Sequence, residues 1–371
     1  MTGDGPTGVA VVGCGDISRQ YLTHLAGFPE VEVLFCADLD PERARARAEA
    51  FGIPAWGSLE GALAEQRVEL VVNLTPPATH GMVATATLDA GKHVWNEKPL
   101  ATDLGAASAL LTRAAERGLR VGGAPDTVLG AGLQTARRLV LEGAIGEPVA
   151  ATTMVQGMGP DHWHPQPETF YRRGAGPLFD LGPYYLTTLC VLLGPVRRVA
   201  ALGRQARAVR TIPTGERAGT AFGVEVPTHV TALLDFESGP SAMTGFSFDS
   251  PHRRTEVEIV GTEGTLGVPD PNRFDGTVLL HRRGAAEAEE IPCSGTTAGR
   301  GIGVVDLVEA VRAGRPHRAS AELALHVLET MLAIERSAAS GGFVDVDSRF
   351  VPPAPVEAGW DPAARGTEAG R

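Results

Sequence analysis

Three side chains, Lys98, Asp180 and Tyr184, have the types and spacing that proton chemistry at a carbonyl oxygen requires. Lys98 lies in the stretch Ala-Gly-Lys-His-Val-Trp-Asn-Glu-Lys-Pro-Leu (residues 90–100), directly after a short apolar strand predicted at residues 93–96. Ligands of open α/β sheets bind outside the carboxyl ends of the strands, so this position favours a functional lysine. Because most lysines are solvated surface residues, a functional role for Lys98 also requires evidence from other parts of the chain.

Asp180 and Tyr184 lie in the segment Gly174–Tyr185, which begins a helix predicted to run to about residue 193. Residues four apart share one face of a helix. Each also has a structural interpretation, Asp180 as a helix-start carboxylate and Tyr184 as a half-buried core residue. Beside Lys98, however, they form a sensible set: the ammonium polarises an oxygen, the phenol carries the proton, and the carboxylate keeps the lysine oriented and charged. We expect the ammonium to lower the pKa of Tyr184 from its ordinary value of about 10.

A glycine turn near the start of the chain predicts a dinucleotide site. The apolar strand at residues 8–12 leads into Gly13-Cys14-Gly15-Asp16-Ile17-Ser18, and a helix follows. Gly13 permits the tight turn, and Gly15 lets the backbone approach a pyrophosphate. The helix start at Asp16 and Ile17 supplies oriented N–H groups and the positive end of a dipole.

Asp38 ends the next predicted strand, twenty residues after Ser18, at the distance where an acidic residue meets the adenosine ribose. A carboxylate there repels a 2′-phosphate, so we expect NAD rather than NADP. Arg43 keeps NADP as the alternative. A structural role at the turn is less favoured, since Asp40 already provides the N-cap of the following helix.

Alternating apolar strands and helices through residue 123 predict a doubly wound parallel sheet. After residue 123, segments such as 255–260 alternate in the manner of antiparallel strands, with a helix at 130–142 and one long strand at 222–237. We therefore predict an α/β protein with a dinucleotide-binding domain (1–123), a substrate-binding and oligomerisation domain with a large open, mostly antiparallel sheet (124–350), and a loose tail (351–371).

Composition excludes several classes of partner. The 371 residues include 33 Lys and Arg against 44 Asp and Glu, for a net charge of −11 with no basic block. Neither a nucleic acid nor an anionic membrane is therefore expected as a partner. The amino end lacks a signal-peptide pattern, and the four cysteines are scattered with no metal-binding spacing. We expect a cytoplasmic protein without a metal ion.

The motifs resemble those of the glucose–fructose oxidoreductase, inositol dehydrogenase and rhizopine-catabolism (Gfo/Idh/MocA) family. The glycine turn, the Ala-Gly-Lys-His-Val lead-in, Glu97-Lys98-Pro99 and Asp180-Leu181-Gly182-Pro183-Tyr184 match in order and spacing, and the resemblance covers about residues 8–345. It implies a Rossmann domain followed by an α/β domain, packed into homodimers or homotetramers. It also implies a nicotinamide cofactor, a sugar, cyclitol or related polyol as substrate, and a cis Lys98–Pro99 bond.

The resemblance also implies residue roles. Lys98 hydrogen-bonds the reacting oxygen, Asp180 positions the substrate or Lys98, and residue 184 is the acid/base. Many members carry histidine at that last position where this chain has Tyr184, so His162 or His164 is the competing proton carrier. Further cofactor contacts are predicted at Thr75, Pro76, His80 and Glu97. Substrate contacts are predicted at Asp126, His162, Trp163 and His164.

These predictions indicate an NAD(P)-dependent oxidoreductase that interconverts a secondary hydroxyl and a ketone, with hydride exchanged at nicotinamide C4. Two alternatives remain open at this point. One is a glycosidase that oxidises its substrate transiently with bound NAD, and the other is a dinucleotide-binding sensor without turnover.

Overall fold

Strands and helices alternate through the first third of the chain, and the computed structural model describes residues 5–368. The elements are β1 (Thr7–Val12), α1 (Asp16–Leu25), β2 (Val31–Ala37), α2 (Pro41–Phe51), β3 (Ala55–Gly57), α3 (Leu59–Ala64), β4 (Val68–Asn73), α4 (Pro77–Asp89), β5 (His93–Asn96), α5 (Leu104–Glu116) and β6 (Val121–Gly123). The strands pair in parallel in the order β3-β2-β1-β4-β5-β6, which confirms the predicted doubly wound sheet. The order reverses between β1 and β4, where such sheets bind ligands.

Local sequence explains where these elements begin. The side chain of Asp40 accepts hydrogen bonds from the N–H groups of Glu42 and Arg43, and Pro41 occupies the first helical position of α2. Ser58 caps α3 in the same way. Strand β1 is buried at every position because helices cover both faces of the sheet.

The remainder of the chain forms a second, larger sheet. The strands in this part of the chain are β7 (Pro148–Gln156), β8 (Val196–Arg204), β9 (Val209–Thr211), β10 (Ala221–Gly223), β11 (His229–Phe236), β12 (Ser241–Ser247), β13 (Arg254–Gly261), β14 (Gly264–Gly267), β15 (Thr277–Arg282), β16 (Glu289–Pro292) and β17 (Val344–Asp345). Its helices are α6 (Ala131–Leu141), α7 (Pro177–Leu193), α8 (Ile302–Arg312), α9 (Ala321–Ser340) and α10 (Pro362–Glu368). Nine strands pair in the order β16-β15-β14-β13-β7-β12-β11-β8-β17, and β9 pairs with β10 separately. Of these pairs β7–β12 is parallel and the others are antiparallel, as predicted.

The strand predicted at 222–237 is wrong in its extent, because the structure divides it into β10 and β11. Pro227 lies between the two strands and cannot donate a ladder hydrogen bond. The short strands β9, β16 and β17 were not predicted, because two to four residues carry too little alternation to be recognised.

One face of the nine-stranded sheet packs against α7 and α9, and the other is open. Leu202, Leu233 and Met243 lie exposed on β8, β11 and β12. The open face therefore exposes apolar side chains to solvent.

Helix α8 returns to the first sheet although it follows the second sheet in sequence. A Cβ atom added at Gly303 would lie 2.0 Å from Cη2 of the fully buried Trp95 on β5, so only glycine allows this contact. Arg312 donates to Thr7 Oγ1 at 2.9 Å at the other end of the helix. The two parts of the chain are thus interlocked.

Residues 356–361 pack on the protein, which differs from the loose tail expected at 351–371, and residues 369–371 of that predicted tail lie outside the described residues. Val356 and Trp360 are buried. The Val356 N–H donates to Gln134 Oε1 at 2.8 Å, and Trp360 Nε1 donates to Glu309 Oε2 at 2.9 Å. The Pro- and Ala-rich composition of this segment predicts no regular structure, but the burial of Val356 and Trp360 holds the segment in place.

Candidate active site

The glycine turn forms an open cradle at the carboxyl end of β1. Gly13 has a φ of +94°, and an added Cβ would lie 2.7 Å from the carbonyl carbon of Leu74, so this position requires glycine. At Gly15 an added Cβ meets nothing within 4 Å. Space therefore remains beside the N-terminus of α1, which begins at Asp16 and continues through Ile17. These features fit a dinucleotide pyrophosphate.

Asp38 lies next to this cradle, at the end of β2. Its Oδ2 accepts a hydrogen bond from the Cys14 N–H at 2.8 Å, and its Oδ1 accepts from the Asp40 N–H at 3.0 Å. Arg43 Nη1 lies 3.7 Å from Oδ1. The carboxylate therefore orients the glycine turn and has its own orientation fixed. In dinucleotide-binding sheets an acidic residue at the end of the second strand binds the adenosine ribose, and Asp38 has this position.

Thr75 and Pro76, the predicted cofactor contacts, follow β4 at the same edge, and Pro76 is the N-cap residue of α4. His80 is 1% exposed, so the structure places it behind this edge. Its Nε2 lies 2.6 Å from the Thr75 carbonyl oxygen and its Nδ1 lies 2.7 Å from that of Pro99. Burial lowers the pKa of His80. His80 thus joins the loops after β4 and β5, in contrast to the direct cofactor contact expected of it.

Glu97 supports the backbone next to Lys98, and its expected contact with the cofactor stays a prediction. Its side chain is buried, with Oε1 accepting from the Tyr21 hydroxyl at 2.9 Å and Oε2 accepting from the Lys98 N–H at 2.8 Å. Trp95 Nε1 in turn donates to the Tyr21 hydroxyl at 3.2 Å. This chain of hydrogen bonds fixes the backbone that presents Lys98.

The structure brings Lys98 and Asp180 together across the two sheets. The Lys98–Pro99 bond is cis, as the resemblance implies. Lys98 Nζ donates to the Asp180 carbonyl oxygen at 2.9 Å and to Asp180 Oδ1 at 3.1 Å. Burial acts to lower the pKa of Lys98, but the Asp180 carboxylate, with Tyr184 and Glu97, outweighs it and holds the pKa above its usual value. Lys98 is therefore a charged, oriented ammonium.

Tyr184 lies beside this ammonium one helical turn after Asp180. Lys98 Nζ is 5.3 Å from the centroid of its ring. Burial raises the pKa of Tyr184, and the opposing effect of Lys98 and Arg300 does not cancel it. The expected lowering of this pKa is thus wrong for the protein without cofactor, because desolvation outweighs the nearby charge. Tyr184 is a neutral phenol.

A buried ion pair anchors the loop that carries the predicted substrate residues. Asp161 is buried, and Arg210 Nε donates to its Oδ2 at 3.2 Å. The Tyr171 hydroxyl donates to Asp161 Oδ1. The base of the loop is therefore rigid, while its tip faces solvent.

His162 and Trp163 are exposed at this tip, Trp163 by 71%. Trp163, His164 and Phe170 form an aromatic cluster, with the His164 and Phe170 ring centroids 4.8 Å apart. His164 Nδ1 accepts from the Gln166 N–H at 3.1 Å. Among residues 5–368 no hydrogen bond joins either histidine to Lys98 or Tyr184, so the geometry favours Tyr184 as proton carrier.

Asp126 was expected to bind substrate, and the structure contradicts this. Its side chain is fully buried, and its Oδ2 accepts from the N–H groups of Gly301 and Gly303 at 2.7 and 3.2 Å. Asp126 therefore caps the N-terminus of α8. Burial raises the pKa of this carboxyl group.

Sequence reasoning missed Arg300 in the segment before α8. Its Nη2 donates to the Tyr184 hydroxyl at 3.2 Å and to Asn272 Oδ1 at 2.8 Å, and its Nε donates to Gln20 Oε1 at 3.3 Å. These partners lie 28 to 280 positions away in the chain. The Gly-Arg-Gly sequence at 299–301 was the one local signal.

Neither a metal centre nor a membrane-spanning helix is found within residues 5–368. No group of three or more His, Cys, Asp or Glu side chains in residues 5–368 is placed to hold a metal ion. No helix in that part of the chain is long and apolar enough to cross a membrane.

A dinucleotide cradle and Lys98 lie at the carboxyl edge of the parallel sheet, and α7 brings Asp180 and Tyr184 to that lysine. This arrangement is typical of an oxidoreductase of the NAD-binding Rossmann class. Residues 7–123 match the oxidoreductase family described as having an NAD-binding Rossmann fold, and residues 133–267 match the GFO/IDH/MocA C-terminal domain. The chain belongs to the Gfo/Idh/MocA oxidoreductase family, which confirms the resemblance.

Known relatives extend over most of the chain. The dTDP-3,4-didehydro-2,6-dideoxy-alpha-D-glucose 3-reductase of Streptomyces violaceoruber is 31% identical over 263 residues, 70% of this chain and 71% of the relative. D-apiose dehydrogenase of Paraburkholderia graminis is 27% identical over 289 residues, 76% and 72% of the two chains. The structure of an NAD binding oxidoreductase from Klebsiella pneumoniae superposes with a TM-score of 0.81 at 23% identity, covering 92% of this chain and 99% of that one. This last likeness confirms the fold.

Proposed function

We propose that this protein interconverts a ketone and a secondary hydroxyl on a sugar, cyclitol or related polyol. The observation that carries the proposal is the Lys98 ammonium, held by two oxygens of Asp180 beside the ring of Tyr184. The Streptomyces violaceoruber relative is a reductase of a dTDP-linked keto sugar by its name, and the Paraburkholderia graminis relative is a dehydrogenase of D-apiose. Both names support a carbohydrate substrate.

Lys98 and Tyr184 have different roles at the reacting oxygen of the substrate. An ammonium has three N–H donors, and Lys98 uses two of them on Asp180, so one remains for the carbonyl oxygen of a substrate. That bond favours the negative charge that develops on the oxygen during reduction. Tyr184, a neutral phenol, donates the proton, and in oxidation it takes the proton back. A bound nicotinamide dinucleotide supplies or accepts the hydride.

The cofactor would lie along the carboxyl ends of β1, β2 and β4. Gly13 and Gly15 would hold the pyrophosphate with the N–H groups at the start of α1, and Asp38 would accept from the ribose hydroxyls. Because Asp38 is a carboxylate, we infer a preference for NAD over NADP.

Turnover of a panel of keto sugars and polyols, followed by nicotinamide absorbance, tests the function. We expect oxidation of NADH by at least one ketone and its loss in Lys98→Met. Release of an aglycone from a glycoside with no net NADH would support the redox-assisted glycosidase in its place. Tight NADH binding without turnover of any member of the panel would support the sensor.

We also infer a cytoplasmic homodimer or homotetramer. The open face of the nine-stranded sheet carries Leu202, Leu233 and Met243, between 47% and 61% exposed, and a second copy of the chain would cover them. Cys14, Cys36 and Cys190 are buried free thiols, in keeping with a reducing compartment. Light scattering of the wild type and of Leu233→Glu tests the assembly, and a monomeric wild type would refute it.

A further inference from the structure

Arg300 is a second cation beside the ring of Tyr184. Its guanidinium carbon lies 5.5 Å from the ring centroid, and Nη2 donates to the tyrosine hydroxyl at 3.2 Å. Asn272 and Gln20 accept further hydrogen bonds from the same guanidinium. Arg300 forms no ion pair within residues 5–368, and its Nη1 is buried there without a partner. Its charge acts on Tyr184, and the nearby carboxylates of Glu97 and Asp126 in turn stabilise the charged guanidinium.

The backbone on both sides of Arg300 is fixed. The Gly301 N–H donates to Asp126 Oδ2 at 2.7 Å, and Gly301 has a φ of +109°, which favours glycine. At Gly299 an added Cβ would lie 2.1 Å from Cε1 of His24, so the chain passes directly over α1. Arg300 is thus presented from a constrained segment, and its hydrogen bond to Tyr184 is built into the fold.

The direction of this hydrogen bond determines where the tyrosine proton points. A guanidinium has N–H donors and no acceptor, and a phenol has a single proton. Arg300 therefore occupies an acceptor position of the Tyr184 oxygen and cannot receive its proton. No acceptor for that proton is found among the residues that the structure describes. The Tyr184 proton is therefore available to hydrogen-bond a substrate bound in the cleft.

We propose that Arg300 is a positioning residue that directs the Tyr184 proton toward the substrate oxygen bound by Lys98. The role rests on the proposed function. In reduction the carbonyl carbon gains a hydride from NADH, the C=O π bond opens, and the oxygen takes the proton from Tyr184. The ketone is reduced, NADH is oxidised to NAD, and water reprotonates the phenolate.

The charges around Tyr184 are consistent with this role. Burial raises the pKa of Tyr184, Lys98 and Arg300 lower it, and Glu97 and Asp180 raise it. The phenol is consequently neutral before the reaction, and two cations stabilise the phenolate that donation leaves behind. Removing Arg300 removes both the fixed proton direction and one of the two cations that stabilise the phenolate.

A kinetic double-mutant cycle tests the proposal, using the wild type, Arg300→Gln, Tyr184→Phe and the double variant. We expect Arg300→Gln to lower kcat for ketone reduction about 10-fold or more, with the Kd for NADH unchanged. In the Tyr184→Phe background the same substitution should change kcat by less than about twofold, because residues that act as a unit are not additive. Arg300→Lys, which keeps a donor and a charge, should recover part of the loss. Arg273→Gln, at an exposed arginine next to Asn272, is the matched control and should keep wild-type kcat.

Urea unfolding of the same four proteins gives a readout that does not depend on turnover. A direct Arg300–Tyr184 contact predicts that the two shifts in unfolding midpoint are not additive. Two results would overturn the positioning role alone. One is that Arg300→Gln lowers kcat equally in the wild-type and Tyr184→Phe backgrounds, and the other is that Arg300→Gln leaves the solvent isotope effect on ketone reduction unchanged. A wild type that binds NADH and reduces no ketone would overturn the proposed function instead.

Discussion

Removing the Asp180 carboxylate tests how the active lysine is held. Lys98 Nζ has two partners on Asp180, the side-chain oxygen at 3.1 Å and the main-chain carbonyl at 2.9 Å, and Asp180→Ala removes only the first. A charge-assisted hydrogen bond contributes about 1.5–3 kcal/mol. At about 1.4 kcal/mol for each tenfold change in rate, kcat/KM should fall about 10- to 150-fold. The carbonyl bond remains, so the loss should be smaller than that of Lys98→Met.

The pH dependence of this variant gives a second measurement. Asp180 opposes burial and keeps the pKa of Lys98 above its usual value. Without the carboxylate, the effect of burial is no longer opposed by Asp180, so the pKa of Lys98 falls. Lys98 then loses its proton at a lower pH, and the loss of kcat/KM at high pH should begin at a lower pH than in the wild type. Asp180→Asn keeps an oxygen acceptor and should lie between the wild type and the alanine variant in rate.

Steady-state reduction of a keto sugar over a range of pH is the assay, with Asp89→Ala as control. Asp89 is a carboxylate paired with Arg113 and Arg117 on the outer surface of the first domain, so its removal should leave kcat/KM unchanged. An Asp180→Ala variant within about twofold of the wild type at every pH would refute the reasoning.

Three further predictions concern the acid, the cofactor and the packing. Tyr184→Phe should lower kcat about 100-fold or more with little change in NADH affinity. Because burial raises the pKa of Tyr184, ketone reduction by the wild type should keep its proton donor at every pH where a free tyrosine, with its ordinary pKa of about 10, is still protonated; an alkaline loss at lower pH that disappears in Tyr184→Phe would contradict this. NAD(H) should bind more tightly than NADP(H) in a fluorescence titration, and Asp38→Ser should reduce the difference; equal affinities in the wild type would count against the role of Asp38. Gly303→Ala should lower the free energy of unfolding by about 1–3 kcal/mol in urea, because its Cβ would overlap the Trp95 ring; an unchanged midpoint would show that α8 can shift away from β5.

The first domain could be predicted almost completely, because its signals are local. An apolar run of four to seven residues followed by a helix-forming segment identifies most of the βα units without any distant contact, and the caps Asp40 and Ser58 mark the starts of α2 and α3. Lys98, Asp180 and Tyr184 were found for a similar reason, since each lies in a short motif whose spacing has a chemical meaning.

The residues that sequence missed are defined by distant partners. Arg300 matters because it reaches Tyr184, 116 positions earlier, and no local pattern contains that information. Asp126 was wrongly expected at the ligand, and Glu97 has hydrogen bonds that the sequence did not predict, because a carboxylate near a strand end can serve a helix N-terminus or a backbone N–H equally well. The pKa of Tyr184 was misjudged because the sequence shows the neighbouring charge and hides the extent of burial.

The return of α8 to the first sheet has a practical consequence for dissecting this enzyme. A fragment ending near residue 123 would leave the Trp95 ring without the helix that packs on it, and Thr7 without the Arg312 side chain. Such a fragment would expose a large aromatic surface to water and should aggregate when produced alone. Nucleotide binding by this chain is therefore best measured on the full-length protein, and exchanging its first domain for that of a relative would require transferring α8 as well.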